Sequence, residues 1–278
     1  MIYASDLDKT LIYSSKSMLP LSISEQQSLV EVERKDGEPL TYMTAPAIEL
    51  LKQVSQQAMF IPVTTRTLEQ FHRIELFQTE IKPKYAITSN GGNILTDGEI
   101  DQGWEKAISI EIGEKCLPME QVLARFKTIS SPEWVFSGRV ADDYFYYCII
   151  DNKKLPVDEI LKFKNWLDNQ GWHLSLQGRK LYFAPRPVDK WRAIDYIKQI
   201  TGDAGPVVTS GDSLLDYEML KNADYGYCPP HGELSELIGS NSIARNRIIL
   251  LDHTGIKASE HILNHVLEIC NRSQAISS

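Results

Sequence analysis

A repeated alternation constrains this chain more than any other feature. Short apolar runs stop on small or polar residues, and helical patterns lie between them. The runs are MIYAS at 1–5, MFIPVTT at 59–65, KYAITS at 84–89 and PVVTSGD at 206–212. In APAIELLKQVSQQAM, 45–59, Ala47, Ile48, Leu51, Val54 and Ala58 follow three-and-four spacing, and Pro46 suits a first helical turn. VDKWRAIDYIKQI, 188–200, repeats the pattern through Trp191, Ile194 and Ile197 or Tyr196. Strands alternating with helices predict βαβ units and a mostly parallel sheet, an α/β chain with a Rossmann-like core.

Two regions break the alternation. Residues 28–44, SLVEVERKDGEPLTYMT, alternate apolar and polar residues around Asp36-Gly37, which predicts a β-hairpin flap near the end of the first strand. From about Trp104 to Phe183, strand-like AISIEIG, DYFYYCII and KLYFAP are mixed with helical LPMEQVLARFKTI and VDEILKFKNWLDNQ. This mixture predicts an inserted α+β cap domain at 104–184, leaving 1–103 plus 185–278 as the core.

At 278 residues the chain is long enough for such a two-part plan. A net charge of -8 argues against a nucleic-acid partner held by a basic surface, while leaving room for a small anion bound by a lysine or a metal. The four cysteines, Cys116, Cys148, Cys228 and Cys270, lie far apart without a CxxC pair, so neither a zinc site nor a disulfide framework is expected. No leader-like segment or membrane-length apolar run is present, and a cytoplasmic protein without a membrane partner is the expectation. The sequence sets no oligomeric state.

In open α/β sheets ligands bind beyond the carboxyl ends of the strands. Asp6 and Asp8 end the first run, Thr64 and Thr65 the second, Ser89 and Asn90 the third, and Asp212 the fourth. Carboxylates and hydroxyls converging on one crevice suit a hard cation and a phosphate. One aspartate of the pair can attack phosphorus and bind Mg²⁺, while its neighbour exchanges a proton with the leaving oxygen and then with water. The cation offsets the repulsion between the carboxylates.

The motifs resemble those of the haloacid dehalogenase superfamily of aspartyl-phosphate phosphohydrolases. DLDKT at 6–10 matches its DxDx[TV] motif, VTTR at 63–66 its strand-ending Thr, Lys190 its lysine, and GDSLLDYEM at 211–219 its acidic motif. The cap inserted after SNGGNIL is similar to the type IIB caps of Cof-like and sucrose-phosphate phosphatases. The resemblance implies a Mg²⁺-dependent phosphatase acting on a small phosphorylated metabolite, with sugar phosphates the expected class. It implies Asp6 as nucleophile, Asp8 as general acid/base, Thr64 as a phosphoryl contact and Lys190 as the residue orienting Asp6. The implied metal residues are Asp6, Asp8 through its backbone carbonyl, Asp212 and Asp216, the last as a ligand or a neighbour of one. Thr65, Arg66, Ser89, Asn90 and Gly91 are the candidate substrate-binding residues.

Lys9, Thr65 and Trp191 stand where relatives with this cap usually carry glycine, and Leu215 stands where they carry asparagine. None of these changes removes a catalytic group. DKT at 8–10 also occurs in P-type ATPases, but Leu11 and Ile12 follow here instead of Gly-Thr, which favours Asp6 over Asp8 as nucleophile. The six histidines show no metal-ligand spacing, and His261 and His265 are expected on the surface of the last helix. A phosphomutase of the same superfamily and a phosphate-binding protein without turnover stay open as alternatives.

Overall fold

The structure, a computed structural model, describes residues 1–18 and 20–277. Its centre is a five-stranded parallel sheet in the order Ile248–Leu250, Tyr225–Cys228, Val207–Ser210, Ile2–Ser5, Met59–Pro62. Every residue of Ile2–Ser5 and Val207–Ser210 is buried, because both faces are covered. Side chains alternate across the sheet. Tyr3 therefore joins Leu51 and Val54 of helix Ala45–Gln57 and Ile262 and Val266 of helix Lys257–Ser277. Ile2 and Ala4 join Ala193, Ile194 and Ile197 of helix Lys190–Thr201 on the opposite face.

The helix boundaries follow local chemistry. Thr44 accepts a hydrogen bond from the Ala47 amide at 3.2 Å to cap helix Ala45–Gln57, with Pro46 in its first turn. Asp189 caps Lys190–Thr201 by accepting from the Arg192 amide at 3.0 Å, and left-handed Gly202 ends it. The cap at Asp189 fixes where Lys190 begins its helix.

The run KYAITS, expected in the parallel sheet, is a partial exception. Its strand, Tyr85–Thr88, pairs antiparallel with Asn93–Thr96 and meets the core sheet through a single parallel bridge, Val63 to Ile87. Met59 and Val63 donate to the first strand, so the amides of Phe60, Pro62 and Thr64 face the other way. Pro62 has no amide hydrogen to offer, and the ladder resumes only at Thr64, whose N–H reaches the Ile87 carbonyl at 2.9 Å.

The flap is a hairpin of Leu29–Lys35 and Glu38–Thr44, joined by Asp36 and Gly37 with φ of 54° and 84°. Two successive left-handed residues make the tight turn that matches strand twist. The cap holds a four-stranded antiparallel sheet in the order Trp172–Gln177, Lys180–Pro185, Phe145–Ile150, Val135–Ala141. Helices Met119–Lys127 and Val157–Asp168 cover one face, packing Phe126 and Phe163 against Phe183.

AISIEIG, expected as a strand, lies within helix Gln102–Lys115. Its alternating isoleucines mimic period two, but Trp104 and Ile108 are the buried pair, Ile112 packs one turn further on, and Ile110 is exposed. Asp101 caps this helix through the Trp104 amide at 2.9 Å. Trp104 and Ile108 pack into the core cluster that contains Ile194, so a division at 103/104 cuts through this helix. Among the described residues no helix is long and apolar enough to cross a membrane.

Candidate active site

The sheet reverses its order of connection at Ile2–Ser5, with Met59–Pro62 on one side and Val207–Ser210 on the other. That reversal opens a crevice at the carboxyl ends of the strands. Asp6 follows Ser5, and its amide donates to the Ser210 carbonyl at 2.9 Å. Gly211 and Asp212 follow Ser210 across the gap. Oxygen atoms of Asp6, Asp212 and Asp216 lie within 4.8 Å of one another, all three side chains buried.

Lys190 projects from the first turn of its helix into this cluster. Its buried ammonium donates to Asp6 Oδ1 at 2.7 Å and to Asp216 Oδ1 at 2.5 Å. Thr10 Oγ1 donates to Asp6 Oδ2 at 3.2 Å. Asp216 Oδ2 accepts from the amide and hydroxyl of Ser213 at 2.9 and 2.8 Å, so both of its oxygens are engaged. Among the described residues no cation lies within salt-bridge distance of Asp212.

Burial raises Asp6 to about 7, with Lys190 opposing the rise and Asp216 adding to it. Burial, then Asp6 and Asp216, hold Asp212 well above its ordinary value. Burial also works to lower Lys190, but Asp216 and Asp6 outweigh it and keep the ammonium charged. One ammonium is bonded to two of the three carboxylates and leaves Asp212 unpaired among the described residues, and all the donor atoms are hard oxygens. That donor set fits a divalent cation such as Mg²⁺.

Asp8 points elsewhere. Its half-exposed carboxylate accepts from Arg66 Nε and Nη2, both at 2.8 Å. Burial would raise Asp8, yet the Arg66 guanidinium wins and holds the carboxyl below its ordinary value. Arg66 also contacts Glu33 of the flap at 2.8 Å. Glu33 is fully buried and additionally accepts from Arg73 at 3.2 Å and Thr41 at 3.0 Å. The flap hairpin is thus tied by charge to the residue that grips Asp8.

The two neighbouring strand ends are knitted together. Thr64 Oγ1 accepts from the Arg66 amide at 3.1 Å, the Ser89 amide donates to the Arg66 carbonyl at 2.8 Å, and the Asn90 amide donates to the Thr64 carbonyl at 2.9 Å. Ser89, Asn90 and Gly91 are all left-handed, with φ of 51°, 61° and 100°. A Cβ on Gly91 would collide with the Asp189 carbonyl, so this turn abuts the cap of the Lys190 helix. Asn90 donates through Nδ2 to the Val188 carbonyl at 3.3 Å, and its buried Oδ1 has no partner.

Two contacts join the cap sheet to the strand ends of the core. Asp142, in the turn between the strands Val135–Ala141 and Phe145–Ile150, accepts from Ser89 Oγ at 2.5 Å, the Leu68 amide at 2.8 Å and Asn93 Nδ2 at 3.1 Å. Tyr182 is buried, and burial, then the nearby Asp8 charge, push its phenol well above its ordinary value, with Thr65 and Lys190 opposing. Directly opposite Tyr182 on the neighbouring strands are Tyr147 and Ser175, and opposite Tyr147 is Arg139. This row shares the sheet face of Tyr182. Lys180, two residues from Tyr182, shares that face, whereas Arg179 sits at the turn with its guanidinium over the Phe136 ring.

The structure therefore gathers Asp6, Asp212, Asp216 and Lys190 in one cluster, while Thr64 and Arg66 at the neighbouring strand end are bonded to the buried turn of Ser89, Asn90 and Gly91, with Thr65 between them. The Asp8 carboxylate lies outside the acidic cluster, against Arg66. Sequence reasoning passed over Glu33, Asp142, Tyr182 and His231, whose Nε2 lies 2.7 Å from the Lys9 carbonyl. His231 was findable, because it follows the end of the strand Tyr225–Cys228. The other three act across long sequence separations that no local pattern marks.

No family model matches this sequence, and no curated protein matches it. Solved structures do. A sucrose-phosphatase from Synechocystis sp., in complex with sucrose and phosphate, is 15% identical with a TM-score of 0.67, covering 96% of this chain and 97% of its own. A sugar phosphatase of haloacid dehalogenase subclass IIB is 14% identical with a TM-score of 0.56, covering 96% and 99%. The haloacid dehalogenase-like hydrolase yhjK from Bacillus subtilis is 14% identical with a TM-score of 0.54, covering 96% and 91%. What is shared at these identities is architecture: the chain has the fold of the subclass IIB haloacid dehalogenase-like hydrolases, a Rossmann-like core with an inserted cap.

Proposed function

We propose that this protein is a Mg²⁺-dependent phosphatase that hydrolyses a small phosphomonoester through an aspartyl-phosphate on Asp6. The observation that carries the reading is the buried Asp6–Lys190–Asp216 charge chain with Asp212 across the crevice. Asp6 forms a bond to phosphorus as the bond to the leaving oxygen breaks, and Asp8 gives that oxygen its proton. Water then attacks phosphorus, Asp8 takes a proton from it, and the Asp6 carboxylate departs. Lys190 orients Asp6 and, with Thr64, offsets charge on the phosphoryl oxygens. Arg66 keeps Asp8 ionised until an arriving phosphate competes for the guanidinium.

Asp6, Asp212 and the backbone carbonyl of Asp8 would hold Mg²⁺, which when bound neutralises the carboxylates and polarises a phosphoryl oxygen. Asp216 acts from behind by holding Lys190. Residues 104–184, the cap, select the leaving group. Ser175 Oγ and Gln177 Nε2 are buried without partners on the strand beside Tyr182. Unpartnered polar atoms favour a ligand rich in hydroxyls, and a sugar phosphate supplies them. The likeness to phosphatases bound to or named for sugars supports the same class.

The test is phosphate release from an aryl phosphate with Mg²⁺ and with EDTA, followed by a panel of sugar phosphates, nucleotides and phosphorylated cofactors. Turnover that requires the cation and vanishes in Asp6→Asn is expected. Equal turnover with EDTA, or an active Asp6→Asn, would refute the mechanism. Isomerised sugar phosphate without free phosphate would favour a mutase, and Mg²⁺ binding without turnover on any substrate a binding protein.

A further inference from the structure

His231 has no part in the chemistry above, yet it ties the turn after Asp8 to the loop at Gly255. Its Nδ1 receives the Gly255 amide at 3.1 Å, and its Nε2 lies 2.7 Å from the Lys9 carbonyl. An amide can only donate and a carbonyl can only accept. Nδ1 must therefore be bare and Nε2 must carry the proton, which makes the ring neutral. Its edge also packs against Tyr13, with ring centroids 5.8 Å apart. Burial lowers its pKa, in keeping with a neutral ring.

Lys9 sits in the turn between Asp8 and Thr10 with φ of 64°, a left-handed conformation that disfavours any side chain. The Lys9 amide is bonded to the Ile12 carbonyl, and the Leu7 carbonyl collects the amides of Thr10, Leu11 and Ile12. The Lys9 carbonyl points out of this knot and is held by His231. One hydrogen bond is comparable in strength to the left-handed penalty it offsets. The residues after His231 grip the other side of the crevice. The Leu234 amide donates to the Asp212 carbonyl at 3.1 Å, and a Cβ on Gly232 would collide with that same oxygen. Residues 231–234 thus hold Asp212 and the turn after Asp8 at a fixed separation.

We propose that His231 is a positioning residue: its neutral imidazole clamps the left-handed Lys9 turn and so sets where the Asp8 backbone and carboxylate stand relative to Asp212. The inference rests on the phosphatase reading for its consequence in catalysis, but the clamp itself can be measured without turnover. The ¹⁵N spectrum of the full-length protein near neutral pH should show the His231 proton on Nε2. A proton on Nδ1 overturns the proposal whatever the protein catalyses.

Mg²⁺ binding, measured by calorimetry with the metal alone, should weaken about tenfold in His231→Ala, the range found for groups that orient metal ligands. His231→Gln, whose amide can still donate to the Lys9 carbonyl, should recover most of the loss. When Lys9→Gly is already present, the same His231→Ala change should cost less than about threefold, because glycine adopts the left-handed turn unaided. On an aryl phosphate, His231→Ala should lower kcat with KM little changed. Folded His231→Ala protein with wild-type Mg²⁺ affinity, or losses that are equal with and without the Lys9→Gly change, overturns the proposal. Wild-type protein that binds Mg²⁺ without turnover defeats the phosphatase reading and leaves the clamp supported by these binding measurements.

Discussion

Asp212→Asn should stabilise the metal-free protein while destroying its response to Mg²⁺. Oxygen atoms of Asp6, Asp212 and Asp216 lie within 4.8 Å of one another, and Lys190 is bonded to the other two aspartates. Two unit charges at that separation repel by roughly 3 kcal/mol at an effective dielectric constant of about 20. Protonation limits the penalty, because a carboxyl with an ordinary value of 3.8 can escape repulsion by taking a proton. The escape costs about 6 kcal/mol at pH ~8 but only about 1.6 kcal/mol at pH ~5. The substitution should therefore add about 3 kcal/mol at pH ~8, a rise in Tm of roughly 6–12 °C, and at most about half that near pH ~5.

The sign for the wild type follows from the same shifts. A carboxyl raised in the folded state binds more protons there than in the unfolded chain. Stability without metal should thus fall as pH climbs from near 3.8 through the Asp6 value of about 7. Thermal melts of both proteins in EDTA and in Mg²⁺ at several pH values provide the assay. Asp212→Asn protein with native circular dichroism but an unchanged or lower Tm at pH ~8 in EDTA would refute the electrostatic argument.

Three further outcomes are expected. Arg66→Ala should destabilise the fold by about 3 kcal/mol in denaturant titrations, because buried Glu33 loses a cation, and it should move the Asp8 limb of the pH–rate profile upward. Gly91→Ala should lower kcat by more than about tenfold, because its Cβ would collide with the Asp189 carbonyl and shift the start of the Lys190 helix, an effect visible as altered near-UV dichroism. Asp142→Ala removes the acceptor for three core donors and should cost about 2 kcal/mol, raise KM more than it lowers kcat, and speed limited proteolysis of the cap.

The parallel core was legible because burial on both faces turns its strands into apolar runs, and because such strands stop where the ligand crevice begins. Asp6, Thr64 and Asp212 could be found from that rule alone. Lys190 needed its motif, since a lysine at a helix start is ordinary until a buried carboxylate is seen beside it. The misread run AISIEIG shows the limit of periodicity: Trp104, Ile108 and Ile112 are spaced for a helix, but exposed Ile110 completes a false alternation. The broken ladder at Pro62 was written in the sequence, though only the direction of its neighbours' amides shows that the missing hydrogen faced Tyr85–Thr88. The contacts of Glu33, Asp142 and His231 depend on how distant segments dock, which patterning does not encode.

The turn at Gly91 and Gly92 also lies between the segment by which the chain leaves the core for the cap, at Trp104, and the point where it comes back, at Asp189. Trp104 Nε1 donates to the carbonyls of both glycines at 3.0 and 3.2 Å, and the Tyr144 ring from the cap lies against Gly92. Departure and return share one spot. An insertion whose ends already touch asks little of the host, since the loop it forms is closed by the host's own packing. The core can accordingly keep one set of reacting groups while different inserts are exchanged through the same doorway, and selection can retune the substrate without rebuilding the chemistry. Lys190 stands beside that doorway, so whatever swings there moves against the residue that holds the nucleophile in place.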